Sequence, residues 1–92
     1  MTERHDEDTI DLQLSRDEAL VLFEWVQRIE AEGRFRQVVK ESAEVVALWA
    51  LSARLEKALA EPFAPNYLEL LRAASERLME GQDPDPLSLY SG

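Results

Sequence analysis

The sequence predicts an all-α protein, an antiparallel three-helix bundle with one or two short flanking β-strands. Three observations carry that expectation. Apolar residues recur at three- and four-residue spacing over most of the chain, as in helices with one buried face. The helical segments are punctuated by capping or breaking residues: Ser15 before the first, Pro62 after the second, Asn66 before the third and Gly81 after it. The connections between them are short, which sets neighbouring helices antiparallel. With 92 residues and no cysteine, the chain has room for one domain and one core, held by neither a disulfide frame nor a thiolate metal site.

Residues 1–8 carry Glu3, Asp6, Glu7 and Asp8 against Arg4 and show no apolar periodicity, so they read as a flexible acidic arm. The stretch TIDLQLS follows at residues 9–15. In it Ile10, Leu12 and Leu14 alternate with Asp11 and Gln13, which predicts a strand over 9–14. A lone strand needs a ladder partner for its amides and carbonyls. Two are open: the weaker alternation in PLSLY at residues 86–90, or the same strand of a second subunit across a two-fold axis.

The first helix is expected at about 16–32. Ser15 and Glu18 form an S-x-x-E capping box, Asp17 suits the positive end of the helix dipole, and Gly33 marks the stop. Its inner stripe is Ala19, Leu22, Phe23, Val26 and Ile29, with Glu24 placed to pair with Arg28 one turn on. The second helix is expected at about 35–61, with Val45, Leu48, Ser52, Leu55 and Leu59 as its seam and Ser42 offering a cap for a separate start. Only Glu44 and Ser52 are polar across AEVVALWALSA, so this segment reads as the central helix, buried on most sides. The third, at about 66–80, has an N-x-x-E start at Asn66, an inner stripe of Tyr67, Leu71, Ala74 and Leu78, and an Arg72/Glu76 pair outside. These elements form a helical domain over 9–81. The tail, 82–92, cannot be helical through Pro84 and Pro86.

Charge and composition narrow the function. Nineteen acidic residues against ten basic give a net charge of −9, a field that repels nucleic acid and anionic membrane and favours encounter with basic proteins. The longest apolar run, VVALWAL, is far short of the roughly 20 residues that cross a bilayer. The acidic N-terminus is unlike a signal peptide, so a cytoplasmic location is expected. The only histidine, His5, lies in the arm, and no glycine-rich loop or nucleophile–base set accompanies the carboxylates. Neither a metal, a cofactor nor an enzymatic activity is therefore expected. Glu24, set in ALVLFEWV, is the carboxylate whose desolvation would be most informative, although an Arg28 partner makes it an ordinary surface glutamate. The one basic segment, GRFRQVVK, carries Arg34, Arg36 and Lys40. Those cations complement the C-terminal dipole of the first helix and its neighbours Glu30 and Glu32 more readily than they hold a phosphate.

More apolar surface is present than three helices need to bury. Leu20, Val21, Trp25, Ala47, Ala50 and Leu51, with Ile10 and Leu12 of the strand, are candidates for an interface; otherwise the strand and tail cover them. Trp49 is either core or part of that surface. The expected function is a non-enzymatic acidic protein–protein interaction module, such as an inhibitor, antitoxin or immunity-type protein masking a basic partner. The alternative is a self-associating structural homodimer.

The strings LSRDEALVLFEW and LWALSARLEKALAEPFAPNYLELL resemble a group of small acidic helical bacterial proteins, mostly uncharacterised, over residues 12–78. The resemblance is one of core residues, caps and the EPF-x-P-x-Y turn. It implies the helical fold and carries no active site.

Overall fold

A computed structural model describes residues 9–90, and within them the chain is mostly helical. The acidic arm at 1–8, with His5, lies outside the described residues. Four helices follow in order: α1 (Arg16–Ala31), α2 (Phe35–Val38), α3 (Ser42–Ala58) and α4 (Tyr67–Met79), with 3-10 turns at Glu61–Phe63 and Pro86–Leu89.

The start of α1 follows from its cap. Ser15 Oγ accepts from the Glu18 amide at 3.0 Å while Glu18 Oε1 accepts from the Ser15 amide at 2.8 Å, so two amides that the helix leaves orphaned are satisfied reciprocally. Ser15→Ala is expected to lower stability by about 0.5–2 kcal/mol; a denaturation midpoint identical to wild type would show the cap to be dispensable. The helix ends in a Schellman motif. Gly33, at φ +66°, donates to Glu30 O, and Arg34 donates to Ile29 O. A side chain at Gly33 would meet nothing nearby, yet the left-handed backbone itself disfavours one.

The expected second helix is two helices. After α2 the chain extends at Val39 and at Glu41, and α3 begins at Ser42. The break is fixed by Glu44, whose Oε1 accepts from the amides of Lys40 at 2.6 Å and Glu41 at 3.3 Å. Ser42 itself is the first helical residue, with Glu41 in the cap position. At α4 the start falls after Asn66 as expected, but the asparagine side chain caps nothing; its carbonyl instead accepts from Glu69 and Leu70.

Neither flanking strand forms among the described residues. Residues 9–14 have no regular structure, and PLSL is a 3-10 turn begun by Asp85, whose side chain accepts from the Leu87 amide at 3.0 Å. The sequence Asp-Pro there favours a turn over a ladder, because proline fixes φ and aspartate captures the amide two residues on. With no partner strand from the tail, the apolar alternation at Ile10, Leu12 and Leu14 pairs with no strand among the described residues.

The packing hub is α1, not α3. Both α3 and α4 lie against α1 and scarcely touch each other. Ala19, Leu20 and Phe23 of α1 gather Leu55 and Leu59 from α3 and its cap and Ala74 from α4 into one core, with Val26 and Ile29 buried further along α1. On α3 only Ser52 and Leu55 are buried, so the helix read as central is covered on one side only. The radius of gyration, 15.8 Å, exceeds the about 12 Å of a compact domain this size, and this openness leaves apolar helix faces at the surface.

Candidate interaction surface

The contacts that hold the frame are polar as well as apolar. Arg16 makes two hydrogen bonds to Glu61, at 2.7 and 3.1 Å, and Arg77 makes two to Asp17, both 2.8 Å, so the first turn of α1 is tied to the turn after α3 and to the end of α4. The hydrogen bonds from these guanidinium groups hold the carboxyls of Glu61 and Asp17 below the usual range. Gln27 Nε2 donates to Ser52 Oγ at 2.7 Å, which accounts for the one polar residue in the α3 seam. The expected pairs Glu24/Arg28 and Arg72/Glu76 are not among the ion pairs of the described residues.

Glu24 has a different partner. Tyr67 Oη, from the first turn of α4, donates to Glu24 Oε1 at 2.6 Å. Burial, reinforced by the glutamate's hydrogen bond and charge, pushes the tyrosine hydroxyl well above its ordinary range. A phenol held protonated in this way is a hydrogen-bond donor bridging α1 and α4. Tyr67→Phe should lower stability by about 1–2 kcal/mol, because a charged acceptor loses its donor in a part-buried place; a change under about 0.3 kcal/mol in denaturant unfolding would mean that water replaces the hydroxyl at no cost.

The basic segment is largely engaged or shallow. Arg34 donates to Gln37 at 2.9 Å and to Glu32 at 3.3 Å, as the dipole and neighbouring acids require. Arg36 and Lys40 border an open hollow of about 350 Å³ with Phe35, Val39 and Val45. The amides at the head of α3 already hold the Glu44 carboxylate, so a phosphate there would have to displace it. Among the described residues no group of three metal-ligating side chains comes together, and no helix is long and apolar enough to cross a membrane.

The proposed interface residues divide three ways. Leu20 is 3% exposed and belongs to the core of its own chain, which removes it from any surface. Val21, Trp25, Ala50 and Leu51 are half-buried, Val21 and Leu51 against the core. Ala47, Ile10 and Leu12 are exposed, the last two at 92% and 77%. The residues that sequence reasoning did not separate are on α3. Val46 and Trp49 are 57% and 53% exposed, and with Ala50, Ala53 and Lys57 they follow the i, i+3, i+4, i+7, i+11 spacing of one helix stripe. At 100° per residue Val46, Ala50, Ala53 and Lys57 point away from Ser52 and Leu55, which face α1, and Trp49 stands at the edge of the stripe nearer Ser52. By its exposure Trp49 is surface rather than core.

Two hollows border α3. One, of about 270 Å³, is lined by Ala50, Ala53, Arg54 and Lys57. The other, of about 750 Å³, lies between the segment bearing Ile10, Asp11, Leu12 and Leu14 and the α3 residues Leu51, Arg54 and Leu55. Arg54 borders both. Its guanidinium turns back on its own helix, donating to Ala50 O at 3.2 Å. No family model, curated protein or solved structure matches this chain.

Proposed function

We propose that the chain is a non-enzymatic protein-binding module whose recognition face is the outer side of α3 together with the groove beside residues 9–14. The observation that supports this reading most strongly is the placement of Trp49 and Val46, large apolar side chains left in solvent on a helix whose opposite side already serves the core. A contiguous apolar face of this kind on a small acidic protein marks a docking site, and tryptophan is the side chain most enriched among residues that dominate binding energy.

The net charge of −9 favours encounter with a partner of basic surface, in keeping with an inhibitor, antitoxin or immunity-type role in which this chain masks a basic protein. Close to the face the balance differs. Arg54 and Lys57 border the hollow beside Ala50 and Ala53, which favours contact there with a segment that brings carboxylates beside apolar side chains.

Trp49→Glu separates a binding role from a structural one. The exposed indole contributes little to the core, so Trp49→Ala should cost less than about 1 kcal/mol in denaturant unfolding, where a core tryptophan would cost about 3–5. With wild-type and Trp49→Glu chains as bait, one protein should be retained by the wild type and lost by the variant, and should bind again when reconstituted from purified components. Equal retention by both chains would overturn the reading.

A further inference from the structure

We propose that the partner closing the groove is a second copy of this chain, docked across a two-fold axis so that Asp11 of each copy pairs with Arg54 of the other. This rests on the reading of α3 and the adjoining segment as a protein-binding face, and it names the occupant.

The argument begins with two opposite charges in an otherwise apolar groove. Asp11 and Arg54 both line it, one on the segment before α1 and the other on α3, with Leu12, Leu14, Leu51 and Leu55 as neighbours. Among the described residues neither makes an ion pair, as is also true of Arg28, Arg36 and Arg72, whereas Arg16, Arg34 and Arg77 each have a carboxylate. Among the described residues the Arg54 guanidinium donates to the Ala50 carbonyl. A two-fold axis through the mouth of the groove exchanges its walls. The wall bearing Asp11 then faces the wall bearing Arg54 twice over, and both charges are answered by one contact repeated. A different protein would have to bring an acid and a base at matching positions among apolar groups, whereas this chain carries both in place.

Three further features point to the same occupant. Ile10 and Leu12 stand in solvent on one wall and would enter the hollow beside Leu51 of the other copy. The Ile10–Asp11–Leu12 order supplies the carboxylate between apolar side chains that Arg54 and Lys57 favour. Finally, two chains of charge −9 repel, so self-association needs a face where acids are few. The groove walls carry one carboxylate, Asp11, against Arg54, while Glu69, Glu76 and Glu80 of α4 and its cap are exposed elsewhere.

Charge reversal tests this with the full chain. Sedimentation velocity over about a hundredfold range of concentration should show wild type passing from monomer to dimer. Arg54→Asp and Asp11→Arg should each raise the dimer Kd about tenfold or more, and the double variant, with the pair exchanged, should return to within about threefold of wild type. Asp11→Arg is the decisive single change: it takes the net charge from −9 to −7 (−9 + 2), so general repulsion alone would tighten the dimer, and the specific pair requires it to loosen. Both residues are exposed, and Asp11→Asn with Arg54→Gln, judged alongside thermal melts, guard against misfolding. A wild-type chain monomeric at every concentration overturns the inference while leaving the Trp49→Glu test of the protein-binding reading intact. A dimer that Asp11→Arg tightens, or that the double variant fails to restore, places self-association elsewhere and also overturns it.

Discussion

Phe23→Ala should lower the unfolding free energy by about 3–5 kcal/mol, a large share of the about 5–14 kcal/mol expected for a domain of this length. Phe23 is buried on the hub helix among Leu20, Leu55 and Ala74, so its ring is where α3 and α4 are both anchored to α1. Its removal leaves a cavity where both outer helices meet α1, so contacts to Leu55 and to Ala74 are lost together. Chemical denaturation with a two-state fit measures the loss. A cost below about 1 kcal/mol would mean that the two outer helices hold together without α1.

Leu20→Ala should cost about 2–5 kcal/mol through the same mechanism, leaving self-association at matched folded concentration unchanged. This residue decides between two accounts of the wide apolar stripe on α1. If Leu20 faced a partner, truncation would weaken association and spare stability. Its near-complete burial against the core of its own chain requires the reverse. A stable Leu20→Ala chain that has lost its partner would contradict the packing described above.

What the sequence made legible was local. The Ser15/Glu18 box and the Gly33 stop involve residues within one turn of each other, and each has one stereochemical solution. The core positions Ala19, Phe23, Val26, Ile29, Leu55 and Ala74 follow from periodicity, which also put Leu22 on the inner stripe, where the structure leaves it exposed. The contacts that close the frame span 25 to 60 residues: Gln27 to Ser52, Tyr67 to Glu24, Arg16 to Glu61 and Arg77 to Asp17. No spacing rule pairs them. Ser52 did carry a signal, since a hydroxyl in an apolar seam requires a polar neighbour. Glu24 was misassigned because the i+4 rule offered Arg28 while Tyr67 arrives from another helix.

The surface was harder still. Over residues 45–53 α3 is apolar on every side but that of Ser52, so its sequence does not say which side meets α1. With α4 engaged on α1, nothing in the described chain covers the side bearing Val46 and Trp49. The strand at 9–14 failed for a related reason: alternation at Ile10, Leu12 and Leu14 describes a strand in need of a partner, and Asp85 with Pro86 had committed the candidate partner to a turn.

The claim that the outer side of α3 is a recognition face can be measured by site-specific photo-crosslinking in the producing cell. A photoreactive amino acid is placed in turn at Val46, Trp49 and Ala53 on the stripe, and at Glu69 and Glu76 on exposed α4. The account predicts that the three α3 positions give one common adduct, to a second copy of the chain or to a single other protein, and that the two α4 positions give none. Adducts of equal yield from both helices, or none from Val46, Trp49 and Ala53, would contradict it.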